Sequence, residues 1–249
     1  YKNLKGLTSF DPKREIDWVI GSRRTSGERV WVPMELAYYT TDQMKRNLKL
    51  CYQASSSGVA AHFDKNVAID IALYELIERD AFSVTWYSKR KVHSIPHECL
   101  PLDLKDRISE WKRLGYNVSI LDLTIDGPPV TLAIIWSREK VPALCSGAAC
   151  RHKIFESIEK AFDEAEFMAM TWSHHRPKVG ISMSKINSPE SHGIFYLDRK
   201  NLAYVEWLLE VVASAVVVGL AENKLHYDVA STILWISKDV SENFLFLHN

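Results

Sequence analysis

The chain has 249 residues, enough for one substantial domain or two small ones. Of these, 47% are apolar and 25% charged, and 31 basic side chains balance 31 acidic ones, so no global charge argues for nucleic acid or an anionic membrane surface. The four cysteines, Cys51, Cys99, Cys145 and Cys150, form no CxxC pair, and a chain of this size needs no disulfide staples, so a reducing cytoplasm is the expected setting.

In chain order, the opening YKNLKGLTSF lacks the apolar core of a signal peptide. Glu15 to Tyr39 reads as two strands around a turn. Asp17 to Ile20 is β-prone, SRRTSGE supplies turn residues, and Val30-Trp31-Val32 resumes the strand before Pro33. The polar stretch TTDQMKRNLK leads to a small-residue loop, Ser55-Ser56-Ser57-Gly58. A long helix then spans about Lys65 to Lys89, uninterrupted by proline. Leu104 to Leu114 is an amphipathic helix with Gly115 as its C-cap. Asn117–Thr124 and Val130–Trp136 are strands around the turn Asp126-Gly127-Pro128-Pro129. Ser146-Gly147-Ala148-Ala149 reads as a second loop ahead of a helix from about Lys153 to Trp172. His174 to Ser191 looks irregular, and Leu202 to Leu220 mainly helical. The apolar stretch Val211 to Ala221 is too short to span a bilayer.

The order strands, loop, two helices, strands, loop, two helices predicts a mixed α/β, or α+β, domain with glutamate-bearing helices on a β-sheet. We expect a single domain over 1–249. The abrupt opening and the FLFLHN ending read as those of a fragment or a chain with missing segments.

The first long helix poses a chemical question. At about 100° per residue, Glu75, Glu78 and Arg79 share one face with Ala68, Ile71, Ala72 and Phe82, while Ile69, Leu73, Leu76 and Ile77 take the other. The helix is therefore expected to be buried nearly all round, with its charges embedded. Two carboxylates beside one arginine leave about one uncompensated negative charge, and removing a charge from water costs several kcal/mol, order of magnitude, without a partner. A hard cation such as Mg²⁺ is one partner, with Arg79 turned to a phosphate. An internal ion network, in which a second cation bonds Glu78, is the other. The Ser55–Ala61 loop, with small side chains, lets a ligand approach its backbone, although neither GxxxxGK[ST] nor GxGxxG occurs in the chain.

SSSGVAAHFDKNVAIDIALYELIERDAF resembles the central motif of YcaO-type proteins, S-[NS]-G-x-A-A, a spacer, then A-x-x-x-A-L-x-E-x-[IV]-E-R-D-A. The match takes in Gly58, Ala60, Ala61, Ala68, Ala72, Leu73, Glu75, Glu78, Arg79, Asp80 and Ala81. IDWVIGSRRTSGERVWVPMEL and CSGAACRHKIFESIEKAFDEAEF resemble flanking family segments. The likeness is best over 16–172 and loose over 173–249. It implies ATP- and Mg²⁺-dependent activation of a peptide backbone amide. A Cys, Ser or Thr side chain attacks the preceding carbonyl, ATP phosphorylates the oxyanion, and loss of phosphate leaves a thiazoline or oxazoline. Carried over, Glu75 and Glu78 are metal ligands, Arg79 a phosphate contact, Ser57 a nucleotide contact and Glu164 a further site residue. The implied partners are a ribosomal precursor peptide, a leader-peptide-binding protein, an FMN-dependent dehydrogenase acting on the product, and a second copy in a homodimer. Nucleic acid and membrane are not among them.

Two departures bear on this reading. Val67 stands eight residues before Glu75, where the family usually has Glu, and no G-K-G element with its own E-x-x-E-R helix occurs in this sequence. Hence two further readings stand beside cyclodehydration: a non-catalytic scaffold or partner subunit, and backbone thioamidation with an external sulfide.

The remaining candidates read as structural. Glu159, Asp163 and Glu166 fall on the outward side of the Lys153–Trp172 helix and read as solvated, whereas Glu164 borders the apolar arc. His174 and His175 are adjacent and poorly placed to chelate one ion, even with His152 and His192. His62 reads equally as a nucleotide neighbour or a local cap. Cys145 and Cys150 have no histidine partner set by the sequence, and Lys89-Arg90-Lys91 reads as a solvated helix end.

Overall fold

The computed structural model describes residues 11–13, 15–38, 55–175, 180–186, 188–211 and 245–247. Two compact units divide the chain: 1–59 with 233–249, and 60–232. The segments TTDQMKRNLK and Val212 to Ala221 lie outside the described residues.

In the first unit, β1 (Trp18–Arg23) and β2 (Arg29–Pro33) form an antiparallel hairpin, in register from Trp18 opposite Pro33 to Ser22 opposite Arg29. Gly27 takes the left-handed conformation in the turn, at φ +70°, and Arg23 pairs with Glu28 at 3.2 Å. β2 runs into a single helical turn, α1 (Met34–Ala37), and β7 (Leu245–Leu247) pairs antiparallel with β1. The Ser55–Gly58 segment is a turn that uses its own polar groups. The Ser57 amide and the Ser55 hydroxyl meet at 3.0 Å, and the Ser55 hydroxyl donates to the Ser57 hydroxyl at 2.8 Å.

In the second unit, α2 (Lys65–Ser88) starts at Asp64, whose carboxylate accepts from the amides of Asn66 and Val67, and stops at Lys89 in the left-handed region. β3 (His93–Ser94), α3 (Leu102–Arg113), β4 (Asn117–Asp122), β5 (Val130–Trp136), β6 (Leu144–Cys150) and α4 (Ile154–His175) follow. After them come α5 (Pro189–Tyr196) and the single turn α6 (Glu206–Leu209). The sheet is antiparallel in the order β3-β4-β5-β6. Helices cover both faces, which is why β5 reads as a continuous apolar run. On one face Ile120, Ala133 and Ile135 pack against Ile108 of α3 and Ile158 and Phe162 of α4. On the other, Leu121, Leu132 and Ile134 pack with Ala81 of α2, Leu202 and Leu208.

Five expectations need correction. Ser146-Gly147-Ala148-Ala149 is not a loop but the middle of β6, a strand of small residues packed tightly against α4. A Cβ on Gly147 would lie 2.3 Å from the Ala161 carbonyl oxygen and 2.5 Å from Glu164 Cβ, so only glycine fits. α2 is not buried all round. It turns Ile69, Ala72, Leu73, Ala81 and Thr85 inward and leaves Val67, Ile71 and Val84 exposed, because it lies on one face of the sheet. The described residues within 174–191 are more regular than expected, with α4 continuing to His175, a 3-10 turn at Met183–Lys185, and α5 capped by Ser188. In place of a helix from Leu202, a 3-10 segment (Arg199–Tyr204) precedes α6. Arg90 is not solvated: the left-handed Lys89 turns it back onto the sheet, where it donates to the Leu123 carbonyl at 2.7 Å and to Thr85 Oγ1 at 3.2 Å. Among the described residues no helix is long and apolar enough to cross a membrane.

Candidate functional site

The site is built across one edge of the second unit's sheet. β6 is the last strand of that sheet, with α4 on one face and α2 on the other. Its side chains alternate accordingly: Cys145, Gly147 and Ala149 face α4, and Leu144, Ala148 and Cys150 face α2. The missing side chain at Gly147 draws α4 in until Glu164 stands over the strand.

Glu78 reaches the same edge from α2. Its carboxyl is pushed up to about 7, first by burial and next by the Glu164 carboxylate. Arg79 opposes that rise, Glu75 adds to it, and Arg151 opposes it more weakly. Like charges held close, partly out of water, favour a bound proton or a bound cation. Glu75 is only 23% exposed and meets Arg79 at 3.4 Å, a long contact that leaves the Arg79 guanidinium 59% exposed. Glu164 pairs with Lys160 at 3.2 Å on its outer side. Glu75, Glu78, Arg79 and Glu164 therefore come together. Ser57 belongs to the first unit, where it sits in the turn described above.

Arg151 is a residue of this edge that sequence reasoning missed. It follows β6 directly, is half-buried, and anchors through Nη1 to the Cys150 carbonyl at 2.6 Å. Its charge opposes upward shifts at three neighbours: Glu78, the Cys150 thiol and the Tyr74 phenol. Burial first, then Asp70 and Cys150, raise Tyr74 to about 12, and burial followed by Glu78 raises Cys150 to about 12. These groups stay neutral near pH 7. Burial likewise raises Cys145 to about 12, so neither buried cysteine is a thiolate nucleophile. The one sequence signal for Arg151 was its place between a small-residue loop and a helix start, which any loop arginine shares.

Other candidates resolve into structure. Asp163 is exposed, as expected, although Arg107 donates to it at 2.7 Å; Glu166 is not a solvated acid, because Arg107 donates to it at 2.6 Å and Trp111 Nε1 at 2.8 Å. The aromatic and cationic residues of α3 lie directly opposite them. Glu159 is exposed, as expected. His62 is a local cap, its Nδ1 accepting from the Asp64 amide at 2.9 Å. His174 and His175 each meet a carbonyl one turn back. Among the described residues no three His, Cys, Asp or Glu side chains gather as a metal cage. A pair of carboxylates with two arginines nearby instead fits Mg²⁺, which is commonly held by one or two carboxylates plus phosphate oxygens and water.

A family model described as YcaO cyclodehydratase, ATP- and Mg²⁺-binding, matches residues 1–203. Among solved structures, the chain is similar to the Escherichia coli microcin synthetase McbBCD complex with pro-MccB17 bound (17% identity, TM-score 0.70, covering 89% of this chain and 57% of that one). It is similar to YcaO from Methanopyrus kandleri bound with AMPPCP and Mg²⁺ (17% identity, TM-score 0.64, covering 94% and 59%). A heterocyclase in complex with substrate and cofactor also matches (18% identity, TM-score 0.66, covering 84% and 26%). The chain thus spans between 26% and 59% of the length of these structures, and the likeness establishes a shared fold.

Proposed function

Because this chain belongs to the YcaO family, we propose that it uses ATP and Mg²⁺ to activate a peptide backbone amide, cyclodehydrating Cys, Ser or Thr of a ribosomal precursor peptide to thiazoline or oxazoline. The observation that carries this reading is the electrostatic meeting of Glu78 and Glu164 at the β6 edge, from helices on opposite faces of the sheet. Glu78 and Glu164 would hold Mg²⁺ with Glu75 beside them, Arg79 and Arg151 would take phosphate oxygens, and Ser57 would serve the nucleotide. When bound, the magnesium nucleotide supplies the phosphoryl group that converts the peptide carbonyl oxygen into a leaving group. The protein supplies a charge environment that is strained until a cation arrives. Glu78 is poised near neutrality, so it gives up its proton as the cation binds. Arg151, fixed on a backbone carbonyl, offers its remaining donors without reorganising.

The further partners in this reading are a leader-peptide-binding protein, an FMN-dependent dehydrogenase acting on the azoline, and a second copy of the chain. Two observations favour a non-catalytic scaffold as the second reading: Val67 is an exposed apolar side chain in the first turn of α2, and no three His, Cys, Asp or Glu side chains gather as a preformed metal cage among the described residues.

Calorimetric titration with ATP, with and without Mg²⁺, tests the proposal on wild type, Glu78→Gln and Glu164→Gln. Metal-dependent binding that drops at least about tenfold in either variant is expected. A folded wild type that binds no nucleotide would leave the acids and arginines as a structural ion network.

A further inference from the structure

One helical turn beyond the acidic pair, the same edge of the sheet opens into a pocket of about 400 Å³. Phe82 follows Glu78 by four residues on α2, and Met168 follows Glu164 by four on α4, so both helices carry the site's face onward into the pocket wall. Ser146 of β6 lies between them, and Trp86, Trp172 and Tyr196 complete the walls. Phe82 stacks on Trp86 at 5.9 Å, and Tyr196 meets Trp86 edge-on at 6.1 Å. No Asp, Glu, Lys or Arg lines the pocket.

We propose that this pocket is the side-chain subsite for the peptide, receiving the large apolar or aromatic residue next to the one whose amide reacts. The inference rests on the amide-activation reading above. Three observations choose the occupant. A lining with no Lys or Arg, and His192 as its one basic side chain, disfavours phosphate. A buried nucleobase would have to satisfy its ring nitrogens largely against aromatic faces and aliphatic walls, since most of the polar lining side chains, Ser83, Tyr87, Ser146 and His192, are exposed and Tyr196 is half-buried. An apolar side chain carries no such cost. Finally, among the described residues no strand pairs with the outer side of β6, so an extended peptide can run along that edge and turn an alternate side chain into the pocket.

The test uses capped hexapeptides, acetyl-Gly-Ser-Phe-Cys-Gly-Ser-amide and the same peptide with Gly in place of Phe, titrated by NMR without nucleotide. MgATP affinity is measured separately. The Phe peptide should bind at least about tenfold tighter than the Gly peptide. Gly193→Leu fills the pocket from α5, where an added Cβ would have Trp172 at 4.0 Å, an ordinary contact. It should reduce the Phe peptide to the level of the Gly peptide and leave MgATP binding within about twofold. Ser83→Trp, at an exposed α2 position on the rim, should do the same and stands in if Gly193→Leu does not fold. Equal affinity for the two peptides, or variants that bind the Phe peptide like wild type, would overturn the proposal. Loss of MgATP binding in both variants would overturn it too, by assigning the pocket to the nucleotide. A wild type that prefers Phe but ignores MgATP would uphold the subsite and sink the amide-activation reading.

Discussion

Gly147 offers the sharpest structural prediction. An alanine there would place its Cβ 2.3 Å from the Ala161 carbonyl oxygen and 2.6 Å from the Ala165 amide nitrogen. Both are backbone atoms of α4, so no side chain can swing aside. Ordinary contact begins near 3.4 Å, so α4 must retreat from β6 by about 1 Å (3.4 minus 2.3). That interface buries Ile158, Ala161, Phe162, Ala165 and Ala169. Overpacking of this kind costs about 1–3 kcal/mol, and here the upper end applies because the obstacle is backbone. In a chain of this size that lowers Tm by about 5–10 °C. The retreat also carries Glu164 away from Glu78, so metal-dependent nucleotide affinity should fall in step. The assay is thermal unfolding followed by circular dichroism, paired with calorimetry and with Ser146→Ala, at an exposed position one residue away, as the control. A Gly147→Ala protein that melts within 1–2 °C of wild type would refute the close packing.

Other consequences are accessible to the same methods. In chelator, Glu78→Gln should be more stable than wild type at pH 8 and equal to it below pH 4. A carboxyl raised from 4.5 to about 7 on folding loses stability as pH rises through that window. A shift of that size corresponds to about 3 kcal/mol at most, and partial exposure reduces the expected gain to about 1–2 kcal/mol. A pH-independent difference between the two proteins would contradict this. Arg107→Ala removes the tie between α3 and α4 and the guanidinium lying 4.9 Å from the Phe162 ring centre. Denaturant unfolding should show a loss of about 1–3 kcal/mol, against near zero for Arg113→Ala, whose partner Glu110 is on its own helix. Asp64→Ala should cost about 1 kcal/mol by removing the α2 cap.

The sequence revealed the long elements and concealed the edge. α2 was legible because a run of helix formers begins after a capping aspartate and meets no proline before residue 89. β4 and β5 were legible from apolar, β-branched runs around an Asp-Gly-Pro-Pro turn. β6 was not, because Ser-Gly-Ala-Ala carries the composition of a loop. It is a strand because α4 demands small residues there, a tertiary requirement that leaves no local trace. The same reason hid the site's geometry. Glu78 and Glu164 could each be singled out, but only the narrow strand between their helices brings their charges together. Arg107's ties to Asp163 and Glu166, and Arg90's return to the sheet, likewise depend on long-range packing.

In the proposed site, Glu78 and Glu164, delivered from opposite faces of one sheet, would hold a single cation with the nucleotide. A double-mutant cycle on MgATP affinity tests it most directly, using wild type, Glu78→Gln, Glu164→Gln and the double variant. Shared coordination predicts that the second substitution costs much less than the first, with a coupling of at least about 1 kcal/mol. Strictly additive losses, or a double variant that binds like wild type, would contradict it.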